Sequence, residues 1–261
     1  MPRIEARNLS VEYPIFNAGS MLLRNALIAA GTGGTISRGV KNIVTVKALD
    51  GATFTIEEGD RVGLVGHNGA GKSTLLRVLG GIYSPTSGNL RVNGRTAGIF
   101  ALGAGLDGEL TGYENIVRMG MLLGLRKAEA LQMLPDVEAF TELGGFLSMP
   151  VHTYSAGMQT RLTFGVATAV RPDILLIDEV IGAGDAAFQG KAHARLNNAI
   201  ESARVLVLAS HAQATIDLYC NRIFHLEKGR LVSDVRLAQE PRAQIVERVD
   251  RVVAGKTGEA G

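Results

Sequence analysis

Gly66-His67-Asn68-Gly69-Ala70-Gly71-Lys72-Ser73-Thr74 decides how this chain folds. Glycine gives up more backbone freedom on folding than any other residue, so a cluster of it weakens helix and strand alike. Yet the cluster follows the apolar, strand-like Arg61-Val62-Gly63-Leu64-Val65 and precedes a helical pattern from about Lys72 to Leu79. Strand, bare loop and helix in that order let successive backbone N–H groups converge on an anion, backed by the positive potential of a helix N-terminus. The spacing is G-x-x-x-x-G-K-[ST], that of a loop cradling a nucleoside triphosphate. Residues 66–74 are expected to line the nucleotide, with Lys72 reaching the β- and γ-phosphates and the Ser73 hydroxyl binding Mg²⁺.

A second element has the complementary chemistry. Ile174-Leu175-Leu176-Ile177 reads as a buried parallel strand, and it runs into Asp178-Glu179. Asp178 is expected to hold Mg²⁺, directly or through water. Glu179 is placed to orient or polarise an attacking water, because phosphoryl transfer depends on positioning and charge stabilisation more than on covalent chemistry. A third element, Tyr154-Ser155-Ala156-Gly157-Met158-Gln159, opens an apolar helix. Ser155 reads as a plain N-cap or as part of a second anion-binding helix terminus.

Composition bounds the partners. The 261 residues can bury a sizeable core, and 46% hydrophobic with 20% charged residues is a globular balance. A formal net charge of +2 without a dense Lys/Arg run argues against a nucleic-acid partner. The single cysteine, Cys220, excludes an intrachain disulfide and suits a reducing compartment. The N-terminus lacks the basic-then-apolar order of a signal peptide. The apolar stretch 21–31, broken by Arg24 and Asn25, is shorter than the roughly 20 residues a membrane span needs.

Along the chain, Ile4–Tyr13 reads as an edge strand, and residues 15–43 interrupt the β pattern with a short helix around 21–30. Strands are expected at 44–48, 52–56, 61–65, 88–92 and 97–102, then helices at 114–125, 127–140 and 156–170. Beyond them strands at 174–177, 205–209, 222–227 and 230–234 alternate with helices at 186–203 and 213–220, and an amphipathic helix ends the chain. The order implies an α/β core with a helical insertion.

With these residues in place the chain resembles the ATP-binding cassette (ABC) ATPases. Their signature L-S-G-G-Q is matched by Tyr154-Ser155-Ala156-Gly157-Met158, with the serine and second glycine kept and Ala156 and Met158 as substitutions. Gly182-Ala183-Gly184-Asp185 stands in the place of the D-loop, and Ala209-Ser210-His211 in that of the switch histidine. Tyr13 matches the aromatic that stacks on adenine in the family; a core tyrosine is the alternative.

The resemblance covers roughly residues 4–235. It implies an α/β P-loop NTPase fold: a RecA-like core, an antiparallel β subdomain and an α-helical subdomain at about 106–170, within one domain at 1–235. A C-terminal helix and tail would occupy 236–261. It implies Mg²⁺-dependent ATP hydrolysis in which Lys72, Glu179 and His211 act on the phosphates and water. It further implies a head-to-tail homodimer, each ATP sandwiched between the P-loop of one subunit and Ser155, Ala156, Gly157 and Met158 of the other.

Within the family, Thr111-Gly112-Tyr113-Glu114-Asn115-Ile116, Leu143-Gly144-Gly145-Phe146 and Met149–Met158 look like the polysaccharide and polyol-phosphate exporters. The segment at 15–43 is similar to that subfamily's N-terminal insertion, which either adds to a membrane-proximal contact or packs on its own β subdomain. The resemblance implies a peripheral subunit on the cytoplasmic face of the cell membrane, powering export of a cell-envelope glycan through a separate polytopic permease that contacts the glycan itself. The alternatives are the ATPase of another ABC transporter or a soluble, non-transport ABC ATPase. One position departs from the family: Ala101 stands where a Mg²⁺-binding glutamine is usual, and a methyl group cannot coordinate a metal. Either Asp107 or Glu109 substitutes, or coupling through this lid is mechanical.

Overall fold

The computed structural model describes residues 1–15, 35–38, 44–99, 105–178 and 186–237. The chain divides into two compact units, Met1–Arg3 with Val92–Leu206, and Ile4–Arg91 with Val207–Gly261. The expected helix near 21–30, Ala101, Glu179, Asp185 and the C-terminal helix lie outside the described residues.

In the second unit, β1 (Arg3–Ile15), β2 (Thr35–Arg38), β3 (Val44–Glu57) and β5 (Ser87–Asn93) form a sheet in the order β2-β3-β1-β5. β1 is therefore an interior strand, not the edge its alternation suggested. Ile4, Ala6, Leu9 and Val11 are buried, but a half-buried strand alternates in the same way whether or not both its sides are paired. Part of the 15–43 insertion also continues the β pattern, since β2 pairs antiparallel with β3 from Thr35↔Lys47 to Arg38↔Val44. The strands expected at 44–48 and 52–56 are one: Asp50-Gly51 is absorbed within β3, with Gly51 at φ +67°.

The same unit holds β4 (Arg61–Val65), α1 (Lys72–Leu79), α7 (Gln213–Tyr219; the helices numbered between belong to the other unit), β9 (Arg222–Glu227) and β10 (Arg230–Arg236). β9 pairs parallel with β4 and antiparallel with β10. β8 (Val205–Ala209) lies beyond β4, and the chain passes from one unit to the other within it. Near-continuous apolar runs such as Val205-Leu206-Val207-Leu208 suit strands covered on both faces.

A charged network ties the base of this unit. Arg222 donates to the Asp60 carboxylate (2.6 Å), to both Asp234 oxygens (2.7 and 2.6 Å) and to the Thr55 carbonyl (2.9 Å). Arg236 closes on the other Asp60 oxygen at 2.9 Å. Asp60 is 3% exposed and Arg222 6%, so removing one partner strands a buried charge. Arg222→Leu is expected to lower unfolding free energy by about 3 kcal/mol, read as a fall in the urea midpoint; an unchanged midpoint would dismiss the network as a stabilising element.

The first unit begins with β6 (Thr96–Ile99), parallel to β7 (Ile174–Asp178) in the register Thr96↔Ile174 to Ile99↔Ile177. Between them come α2 (Gly112–Leu122), α3 (Lys127–Gln132), α4 (Leu134–Thr141), two short 3₁₀ turns and α5 (Ala156–Ala169), and α6 (Ala186–Ser202) follows. The single helix expected over 127–140 is two. Pro135 lacks the N–H that a helix interior needs, so it sits in the first turn of a new helix. Ile116, Val137, Leu147, Leu162 and Val166 form the core on which these helices pack. Among the described residues no helix is long and apolar enough to cross a membrane.

Candidate nucleotide site

The glycine-rich loop leaves β4 and returns into α1. His67, Asn68 and Gly69 form its exposed tip, while Ala70, Gly71 and Lys72 are buried and Ser73 and Thr74 half-buried. Gly71 is the N-cap of α1 in a left-handed conformation, φ +109°, where a side chain would be strained; an added Cβ would also stand 2.7 Å from the Ala48 carbonyl oxygen. A Cβ on Gly66 would run into the Leu226 carbonyl. The loop thus lies tight on β3 and β9 because its backbone is bare. It is held there by bonds from Ala70 N to the His67 carbonyl (3.0 Å) and from Gly229 N to the Ala70 carbonyl (3.0 Å).

Lys72 is 7% exposed, and its ammonium donates to the carbonyls of Gly66 (2.6 Å) and His67 (3.1 Å). A buried cation held by loop carbonyls matches a site for an anion of high charge. No side chain caps α1 and no acidic residue occupies its first turn, so the helix does not offset its own positive end. Bare cradle, buried cation and uncapped helix end together fit a polyphosphate. Ser73 and Thr74 place two hydroxyls beside it.

Tyr13, at the end of β1, belongs to the same unit. Its ring meets the edge of Tyr83 with centroids 5.6 Å apart at 73°, and the Arg77 guanidinium lies 5.9 Å from the centre of the Tyr83 ring. Among the described residues, the buried Tyr13 hydroxyl finds no hydrogen bond of sound geometry. Burial raises its pKa, offset in part by the neighbouring Thr74 hydroxyl. His211, just past β8, is exposed, and the buried Ser210 hydroxyl accepts from Ala212 N at 3.1 Å.

The other site residues lie in the first unit. Asp178 is the half-buried last residue of β7, after four buried apolar residues. Ser155 is the N-cap of α5, its hydroxyl accepting from Met158 N at 3.2 Å. Ser155, Ala156 and Gly157 are exposed, and the first turn of α5 carries no acidic residue. Among the described residues, a Cβ built on Gly157 would meet only the Ser155 hydroxyl, at 3.9 Å, so the glycine faces space that these residues leave open. Of the two candidates to replace the missing glutamine, Asp107 already accepts from Arg118 (3.0 Å) and from Glu109 N (3.2 Å), whereas Glu109 is solvent-exposed.

Sequence reasoning passed over Tyr83, Gly229 and the capping role of Thr111 and Glu114. Tyr83 is an isolated aromatic in a loop and signals nothing by itself. Gly229, which clamps the loop, is remote in sequence. Thr111 and Glu114 form a capping box at the start of α2, and their T-x-x-E spacing is the signal that could have found it.

A P-loop between β4 and α1, a carboxylate ending a buried parallel strand and a serine-capped helix define an ATP-binding protein of the cassette type. The chain belongs to the ABC transporter family, whose profile matches residues 49–182, and it is an ATP-hydrolysing ABC ATPase with a P-loop α/β fold. It is 52% identical, over 87% of its length and 95% of the relative's, to the O-antigen export system ATP-binding protein RfbE of Yersinia enterocolitica. It is 37% identical, over 87% and 82%, to the teichoic acids export ATP-binding protein TagH of Staphylococcus haemolyticus. In fold it is similar to the ATP-binding cassette MJ0796, solved as a dimer bound to ADP and Pi, with a TM-score of 0.63 and 20% identity over 91% of this chain and all of that one.

Proposed function

We propose that the chain is the ATPase subunit of a cell-envelope glycan exporter, acting as a homodimer on the cytoplasmic face of the membrane with a separate polytopic permease. The observation that carries this reading is the 52% identity to an O-antigen export ATP-binding protein along almost that protein's whole length. The teichoic acid export relative supports the class of cargo, a polyol or sugar polymer.

In this reading Gly66–Thr74 hold the triphosphate, and Lys72 places its charge at the β- and γ-phosphates from the cradle it already occupies. Tyr13 offers its ring to the adenine. Ser73 and Asp178 would hold Mg²⁺, which supplies charge neutralisation at the phosphate oxygens. Glu179 orients the water and His211 contacts the γ-phosphate. Ser155 and Gly157, at the exposed start of α5, serve the nucleotide of the partner protomer, as the open space around Gly157 permits. Asp185 belongs to the same interface.

The permease is proposed to dock on the helices of the first unit. There Tyr113, Val117, Met121, Leu122, Leu131 and Leu134 line an apolar hollow of about 670 Å³, and Met121, Leu122 and Leu131 are exposed. The glycan would then be handled by the permease.

Co-purification tests the partner. Affinity-tagged chain, extracted from its native membrane in mild detergent, is expected to bring down a polytopic protein whose presence alters ATP turnover. Recovery with ribosomes or DNA and no membrane protein would overturn the export reading.

A further inference from the structure

We infer that Asn115 is a positioning residue for Ser155, fastening the loop at 105–111 to the segment that presents this serine. The inference rests on the role proposed for Ser155 at the partner protomer's nucleotide.

Asn115 is 0% exposed on α2, and its amide is fully used. Its Oδ1 accepts from Asp107 N at 2.8 Å, while Nδ2 donates to the carbonyls of Asp107 (2.9 Å), Leu110 (3.1 Å) and Thr111 (3.0 Å). One N–H facing the oxygen and three carbonyls facing the nitrogen fix which way the amide points. A carboxylate in its place offers no donor and a hydrophobe offers nothing, so the loop requires this amide.

The loop so folded is itself bonded to the chain ahead of the signature. Val151 N donates to the Leu110 carbonyl and His152 N to the Gly108 carbonyl, each at 3.0 Å. His152 Nδ1 also lies 3.0 Å from the Gly108 oxygen, and Thr111 forms a bridge with Pro150. Tyr154, buried, donates its hydroxyl to the Phe146 carbonyl at 2.6 Å. The next residue is Ser155. Hydrogen bonds therefore run from Asn115 through the loop to Val151 and His152, and on from the Val151 carbonyl to Tyr154 N at 3.0 Å. Ser155 follows Tyr154 in the backbone, so a displacement of the loop carries Ser155 with it.

Without the amide, Asp107 N loses its acceptor. The carbonyls of Asp107, Leu110 and Thr111 each lose one donor and keep a second, Leu110 N, Val151 N and Asn115 N, and the loop loosens. The serine is then presented over a spread of positions, while the glycine-rich loop, which belongs to the other unit, keeps its nucleotide. Asn115→Ala is expected to leave the dissociation constant of Mg-ATP unchanged and to lower kcat roughly ten- to hundredfold, the cost of ångström-scale misplacement.

A reversible cross-link separates positioning from bulk stability. A Cβ built on Gly108 stands 3.4 Å from the His152 Cβ, close to the roughly 3.5–4.5 Å that a disulfide spans. The native Cys220 is buried, with its thiol pushed up to about 12 by that burial, and stays out of the exchange. Gly108→Cys/His152→Cys is added to the Asn115→Ala chain, and turnover, Mg-ATP affinity and melting temperature are measured oxidised and reduced. Recovery of kcat on oxidation and its loss on reduction, with nucleotide affinity constant throughout, is the expected result.

Wild-type turnover in Asn115→Ala, with Ser155→Arg inactive, would overturn the inference and leave the role of Ser155 standing. Activity in Ser155→Arg would overturn the reading beneath it. Oxidation that restores the melting temperature but not kcat would reduce Asn115 to a stabilising residue. Should Asn115→Ala not fold, Asn115→Ser, which keeps one donor, is measured in the same way.

Discussion

Glu179→Gln is expected to bind Mg-ATP as tightly as the parent chain while its kcat falls by about 10²-fold or more. The amide keeps the shape and one acceptor of the carboxylate but cannot draw a proton from water, and loss of a positioned base costs on that order. A fall in kcat without a rise in the nucleotide dissociation constant marks a group that acts in the transition state rather than in binding. Wild-type turnover in this variant would remove Glu179 from the proposed mechanism and return the water-positioning role to another residue, with His211 the next to substitute.

Lys72→Ala is expected to fail one step earlier. Its ammonium, 7% exposed and held by the Gly66 and His67 carbonyls, loses its charge-assisted contact to the phosphates, worth about 1.5–3 kcal/mol. That is roughly ten- to hundredfold in Kd. The same variant tests the composite site. Mixed with Ser155→Arg chains, it forms heterodimers in which both defects fall on one nucleotide and the other site is intact. At an Mg-ATP concentration that fills the parent site but not the Lys72→Ala site, partial turnover should return in the mixture although each homodimer is inactive. If the mixture stays as inactive as its components, Ser155 and Lys72 do not serve the same nucleotide from opposite protomers.

How much of this was legible in the sequence depends on whether the signal was local. The strand–loop–helix around Gly66–Thr74 was legible because each part is short-range: an apolar run, bare backbone, then a helix from Lys72 to Leu79, as observed. Ser155 was legible as a cap for the same reason, since an N-cap serves amides within its own turn. Strand placement within a sheet was not. β1 looks like an edge because alternation records burial of one face and is silent on lateral neighbours. The split at Pro135 was legible in principle but masked by apolar spacing that continues in phase across it.

The remaining site features depend on contacts between distant segments. Ala48 and Gly229 press on the glycine-rich loop from positions remote in the chain. Asn115 stands out in sequence only as part of a family pattern; its four hydrogen bonds become visible once the loop at 107–111 folds around it. Arg222 and Asp60, 162 positions apart, are likewise an ion pair that no spacing rule finds.

The central claim is that one chain carries half of each catalytic site, the phosphate cradle of one nucleotide and the serine-capped helix for another. Multi-angle light scattering of Glu179→Gln, with and without saturating Mg-ATP, tests it most directly, because slow hydrolysis preserves whatever assembly the nucleotide drives. The account predicts a monomer in the absence of nucleotide and a dimer of twice that mass with Mg-ATP, abolished by Ser155→Arg in the same chain. A Glu179→Gln protein that binds Mg-ATP and remains monomeric at saturation would contradict it.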